Sequence, residues 1–174
     1  MGIQFETDYN METLTAMAKG LRKTVRKKRS RRVHIFAAVV LILGLLTILA
    51  TTAGGEPLGA SGVVTLLAML VVILATVFED KLNAWFARKR LLPGTEHAVA
   101  TFEEDGYVSA TGVTESRFSY AQIVAVAETA RYFVFALSSH HTQAYDKRTI
   151  RGGSVEDFRA FIAEKTGKLV ENIK

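Results

Sequence analysis

VHIFAAVVLILGLLTILATTAGGEPLGASGVVTLLAMLVVILATVF, residues Val33–Phe78, decides the architecture of this chain. It holds two apolar runs without Asp, Glu, Lys or Arg, Val33–Ala53 and Leu58–Phe78, of 21 residues each. Between them stand only Gly54-Gly55-Glu56-Pro57. A helix of that length is about 30 Å long, the thickness of a bilayer core. A four-residue break is too short to cross a membrane again, so the sequence predicts transmembrane helices at 33–53 and 58–78 joined by an external turn at 54–57. Both ends of the chain then lie on one side.

Charge assigns that side. Lys19–Arg32 carries nine basic residues and no acidic one, and Lys81, Arg88, Lys89 and Arg90 follow the second run, whereas the turn offers only Glu56. The positive-inside tendency makes both termini cytoplasmic, in a multi-pass protein of the plasma (inner) membrane. Setting those nine charges aside from the net +5 leaves the remainder at −4, so the basicity is local. A basic cluster beside a span attracts anionic lipid headgroups, about 1 kcal/mol per Lys or Arg. It also serves as a topology determinant alone. Nucleic acid is not expected as a partner, because no recognition motif accompanies the cluster. The absence of Cys excludes disulfides, thiolate metal sites and thiol nucleophiles.

Small residues recur at intervals of seven in both runs: Ala37, Gly44 and Thr51, then Ser61, Ala68 and Ala75. One antiparallel register pairs Thr51 with Ser61, Gly44 with Ala68, and Ala37 with Ala75. Close approach over small residues is what holds helices together in lipid, and a spacing of seven suits a left-handed crossing. With no charge inside either run, an ion or proton path is not indicated, and the hairpin reads as an anchor. Ser30–Phe36 is loosely similar to a twin-arginine export signal, but His34 stands where such signals favour Phe and a second span follows.

The flanks divide in turn. Residues 1–7 include the alternating stretch Ile3–Thr7, a short strand with Ile3 and Phe5 on one face, predicted to join the C-terminal domain. Residues 8–32 read as a basic juxtamembrane helix, capped by Thr7 or Asp8, striped by Leu14, Met17, Leu21 and Val25, and merging with the first span. Residues 79–92 extend the second span up to Pro93-Gly94, with Phe78, Leu82, Trp85 and Phe86 on one face and Trp85 placed as an interfacial anchor. From 95 to 174 the pattern is of short strands: His97–Glu103, Tyr107–Thr111 across the hairpin signal Asp105-Gly106, Glu115–Ser119, Val124–Glu128, Tyr132–Ser138 and Thr142–Asp146. Tyr132–Leu137 is apolar on both faces, as in a central strand. A final helix is capped by Ser154, carries Asp157 in its first turn and ends at Gly167.

These features together resemble the bacterial YcxB-like family. The matching stretches are Thr101–Tyr107, Ser116–Ile123, Glu128-Thr129 with the aromatic strand Tyr132–Leu137, and Tyr145-Asp146-Lys147-Arg148-Thr149-Ile150. The family usually has Pro where this chain has Asp146, which implies a different local turn. The resemblance implies an α+β chain: a two-helix transmembrane hairpin inserted into a small pleckstrin-homology-like (PH-like) β-sandwich or barrel with a C-terminal capping helix. It implies no activity.

No catalytic constellation, phosphate loop or metal-ligand spacing stands out, and neither cofactor nor metal is expected. His140-His141 reads as a loop pair, and Glu103-Glu104-Asp105 as a solvated hairpin tip. Lys147, Arg148 and Arg151, next to Gly152-Gly153 and the Ser154 helix start, form a candidate anion or lipid site, together with Arg26 and Arg29. The competing reading is a solvated rim paired with Asp146 or Glu156. The expected function is a membrane-anchored, non-enzymatic module whose cytoplasmic domain binds a protein partner or a second copy of itself. The alternatives are an anionic-lipid or envelope-stress sensor and an immunity-type membrane protein.

Overall fold

Alternation along Ile3, Phe5 and Thr7 buries one face of the first strand, β1 (Ile3–Asp8), in a computed structural model that describes residues 2–55 and 57–173. Glu56, the one charge expected in the turn between the apolar runs, lies outside the described residues, as do Met1 and Lys174. β1 pairs antiparallel with β2 (His97–Phe102), with Ile3 opposite Phe102 and Asp8 opposite His97. β3 (Tyr107–Thr111) and β4 (Glu115–Phe118) complete a sheet of order β1-β2-β3-β4. The β2–β3 turn carries Asp105-Gly106, and Glu103 N–H donates to Gly106 O at 2.8 Å. Glycine is required there by close approach: a Cβ on Gly106 would lie 2.5 Å from Phe118 O.

The second sheet has the order β7-β6-β5-β8, built from β5 (Ala125–Glu128), β6 (Tyr132–Ala136), β7 (Thr142–Asp146) and β8 (Val170–Asn172). β8 pairs parallel with β5. Every residue of β6 is buried, as its two-faced apolar pattern requires. One face, Phe133 and Phe135, enters the main core with Phe5, Phe102, Tyr107, Tyr145 and Phe158. The rings meet mostly edge to face, with Phe5 and Phe158 centroids 4.6 Å apart. The other face, Tyr132 and Val134, packs with Ala127, Ala144 and Ile173 beneath Ala16 and Met17 of α1.

α1 (Met11–Lys23) is capped by Asn10, whose side-chain oxygen accepts from the Glu12 and Thr13 amides at 2.9 and 3.0 Å. The cap is therefore Asn10 rather than Thr7 or Asp8, both of which remain in β1. α1 also stops short of the first apolar run. A non-helical corner at Thr24–Arg26 separates it from α2 (Lys27–Ala53). The corner is tied down by Arg26, whose Nε donates to Ser139 O at 2.6 Å. That bond lets α1 lie along β6 while α2 leaves the domain.

α2 and α3 (Ala60–Val77) are long and apolar enough to cross a membrane, and among the described residues nothing covers most of their surface. The helical run breaks at Phe78, so Leu92 is not reached by one continuous helix: α4 (Glu79–Lys89) begins anew and ends three residues earlier. α4 docks on α1 through the fully buried Ala84 and leaves Leu82 and Trp85 exposed, as Phe78 is at the break before it. α5 (Val155–Thr166) covers the core with Phe158 and Ile162. It starts with a capping box between Ser154 and Asp157 and ends at Gly167 in the left-handed region, φ 62°.

Half of the small-residue register holds a different partner set. Ala37 is buried and Gly44 and Thr51 are half-buried on the inner side of α2, but Ser61, Ala68 and Ala75 of α3 are exposed. The α3 side chains over Gly44 are Met69 and Thr65. A long, flexible thioether fills the space that glycine leaves, so no second small residue is needed opposite it.

Candidate functional site

The predicted cation cluster does not converge. A 3-10 turn at Lys147–Thr149, with Asp146 as its N-cap, sends its side chains in different directions. Lys147 Nζ donates to Glu128 at 2.9 Å and to Thr129 O at 2.7 Å. Arg148 pairs with Asp146 at 2.9 Å, and Arg151 with Glu6 at 3.1 Å. Glu128 also receives two hydrogen bonds from Arg159, at 2.7 and 2.8 Å. Those bonds, then Lys147, overcome the cost of burial and hold its carboxyl down to about 2. Thr149 closes the clasp on β1 by accepting from Glu6 N–H and donating to Glu6 O. The α5 N-terminus is filled by its own capping box. The segment is thus a structural latch between β7 and β1. Of the pairings foreseen for it, Asp146 is used, while Glu156 faces Arg159.

His140 and His141 sit in the β6–β7 turn, where Ser138 Oγ accepts from both of their amides. Glu103 and Glu104 of the hairpin tip pair with Arg117 and Lys165. No group of three His, Asp or Glu able to hold a metal occurs among the described residues. Trp85 lies half-exposed beside Phe86, with Lys89 Nζ 3.6 Å from its ring centroid.

Where the cations do gather is the junction between the β-domain and the apolar hairpin. A cavity of about 470 Å³ opens there between α1, the first turns of α2, α4 and the β6–β7 turn. Leu14, Met17, Leu21, Val33 and Phe86 form its apolar walls, and Arg22, Arg26, Arg29 and Arg90 its basic ones. Arg22 is committed to Asp80, with bonds of 2.7 and 2.6 Å. Arg26 donates to Ser139 O and, at 2.9 Å, to His140 Nδ1, which must accept because a guanidinium only donates. Burial first, and then the neighbouring Arg29, lowers the Arg26 pKa. Among the described residues no carboxylate lies within ion-pair distance of Arg26, Arg29 or Arg90. The one acidic wall residue, Glu79, faces Arg22 at 3.8 Å and His34 at 3.9 Å. Sequence reading named Arg26 and Arg29 but missed Arg90 and the cavity itself, whose walls come from three separate stretches of the chain.

A second cleft, about 300 Å³, lies between β3–β4 and β7 beneath α1, lined by Tyr9, Ser116, Phe118 and Gln143 among others. Among the described residues β4 bonds to β3 on one side only, and Glu115, Ser116 and Arg117 are exposed along its free edge.

The fold defines an α+β protein with two apolar candidate spans and two open four-stranded sheets. Residues 102–162, from the end of β2 into α5, match the family model described as YcxB-like protein, so over that stretch the likeness to the YcxB-like family is shown. No curated protein and no solved structure matches the chain. Most of the junction cavity lies outside the matched stretch, with only His140 and Thr142 of its walls within it.

Proposed function

We propose that the chain is a non-enzymatic module, anchored in the bacterial inner membrane by the α2–α3 hairpin, whose cytoplasmic PH-like domain binds a protein partner. The uncovered Leu, Ile, Val and Phe side chains of both apolar helices support the anchor, since a soluble surface rarely exposes so large an apolar area. The basic residues at the start of α2 and on α4 support cytoplasmic termini. Two four-stranded sheets with α5 over the core support a PH-like architecture.

The free β4 edge carries the partner reading. It presents unpaired backbone groups beside an open cleft, the arrangement by which a sheet accepts an extended segment. The β5 edge is not free in the same way, because the chain's own β8 fills it. The test is a photo-crosslinking residue at Ser116, with purification in mild detergent and mass spectrometry of the adduct. A stoichiometric protein captured at Ser116, and not at the exposed position Lys168, supports the reading. Lipid alone co-purifying overturns it. An immunity-type role is one form of the same partner binding. A second reading, anionic-lipid sensing, is favoured by the basic junction cavity.

A further inference from the structure

We propose that the junction cavity is a binding site for the phosphate of an anionic phospholipid headgroup, held by Arg26, Arg29 and Arg90. The inference rests on the membrane anchoring proposed above and not on the protein partner.

Three observations converge. The first is unbalanced charge. Arg26, Arg29 and Arg90 face one cavity with no carboxylate within ion-pair distance among the described residues, whereas outside it Arg117, Arg131, Arg148, Arg151 and Arg159 each have one, and the other arginines without one, Arg31, Arg32 and Arg88, do not line it. Guanidinium groups match a phosphate diester in both charge and fork geometry.

The second is the start of α2. This helix of 27 residues has no side-chain cap and no acidic residue in its first turn, where Lys27, Lys28 and Arg29 stand instead. Cations at the positive end of a helix dipole are unfavourable, and an anion seated beside them removes the conflict.

The third is depth and shape. Val33, the first residue of the first apolar run, and Phe86 share the cavity with the arginines, so an apolar wall continues directly into a basic one. A free inorganic anion uses only the basic wall. A phospholipid uses both, with its phosphate on the guanidinium groups and its glycerol and first acyl methylenes against Val33, Phe86, Leu21 and Met17. At about 470 Å³ the space suits a headgroup-sized ligand.

The experiment uses the full chain in nanodiscs of phosphatidylcholine, with or without phosphatidylglycerol, and counts motionally restricted spin-labelled phosphatidylglycerol against spin-labelled phosphatidylcholine. The expected result is a preference for phosphatidylglycerol that falls about tenfold or more in Arg26→Gln/Arg29→Gln/Arg90→Gln. Arg31→Gln/Arg32→Gln, which removes two exposed charges of α2 that do not line the cavity, keeps it. Arg29→Gln/Arg90→Gln, which spares the Arg26 bond to Ser139, weakens it in a fully folded protein. Equal loss in the Arg31/Arg32 variant overturns the proposal in favour of bulk surface attraction. Tight binding of inorganic phosphate in phosphatidylcholine discs, with no lipid preference, overturns it in favour of a free anion. Flotation of the protein with phosphatidylcholine vesicles separates these outcomes from a failure of the anchor itself.

Discussion

Arg22 on α1 grips Asp80 on α4 with two parallel hydrogen bonds, 2.7 and 2.6 Å long, across a separation of 58 residues in sequence. The pair joins the helix that lies on the β-domain to the helix that leaves the apolar hairpin. Both side chains are mostly covered, so the pair is screened less than a surface bridge. Asp80→Asn is expected to lower stability by about 1–2 kcal/mol, and Arg22→Lys by less. Thermal unfolding of the full chain in detergent measures both, and an unchanged midpoint for Asp80→Asn contradicts the clamp.

The contact of α1 with β6 makes a second, sharper prediction. A Cβ on Gly20 would lie 2.6 Å from Val134 Cγ1. In an exposed helix Gly→Ala gains about 1 kcal/mol. Here overpacking dominates, and Gly20→Ala is expected to cost about 1–3 kcal/mol. Adding Val134→Ala should recover part of that loss, which a double-mutant cycle detects.

Glu128 sets an acid limit. Its carboxyl is depressed from 4.5 to about 2, chiefly by Arg159 and then by Lys147. A depressed carboxylate stabilises the fold above its unfolded pKa and loses that contribution as pH falls through the folded value. Stability should therefore decline as the pH falls from 4.5 toward 2, by about 2 kcal/mol from this group. Glu128→Gln should flatten that limb while lowering stability near neutrality, because Lys147 and Arg159 lose their shared partner. Denaturation midpoints across this pH range report the difference.

The hairpin predicts asymmetric tolerance. A Cβ on Gly44 would meet Met69 Sδ at 2.8 Å, and that side chain can swing aside, so Gly44→Ala should be nearly neutral. Gly44→Leu has no such outlet and should weaken α2–α3 association. Ala68→Leu, on the exposed side of α3, should leave it unchanged. Resistance to unfolding in detergent ranks the three.

Phe5 touches Phe102, Phe133, Tyr145 and Phe158 and is fully buried. Phe5→Ala is expected to cost about 3–5 kcal/mol, and the near-ultraviolet signal of the buried tyrosines, far along the chain, should report the loss.

Elements with strong local signals were readable in the sequence. Alternation placed the strands to within two residues at each end, and Ser154, Asp157 and Gly167 marked the last helix. What escaped was set by tertiary contacts. Leu14, Met17, Leu21 and Val25 keep helical spacing straight through the corner at Thr24–Arg26, so periodicity alone could not show a break fixed by Ser139. β8 is three residues long and exists only because β5 offers it an edge. The basic residues at 147–151 are dense in sequence yet dispersed in space by a 3-10 turn. Arg90 is far in sequence from Arg26 and Arg29, on the other side of the apolar hairpin, yet shares one cavity with them. Density of charge along a chain is a poor guide to convergence when a single turn separates adjacent side chains.

The pairing of β1 with β2 has a consequence for the making of the protein. β1 leaves the ribosome before the apolar helices, and its partner is synthesised only after both of them are complete. Until then Phe5 has none of the aromatic rings it packs against. The β-domain therefore cannot close during early elongation, and contacts of such long sequence separation form slowly. The apolar helices are accordingly committed to their surroundings before the domain built from the segments on either side of them has been assembled.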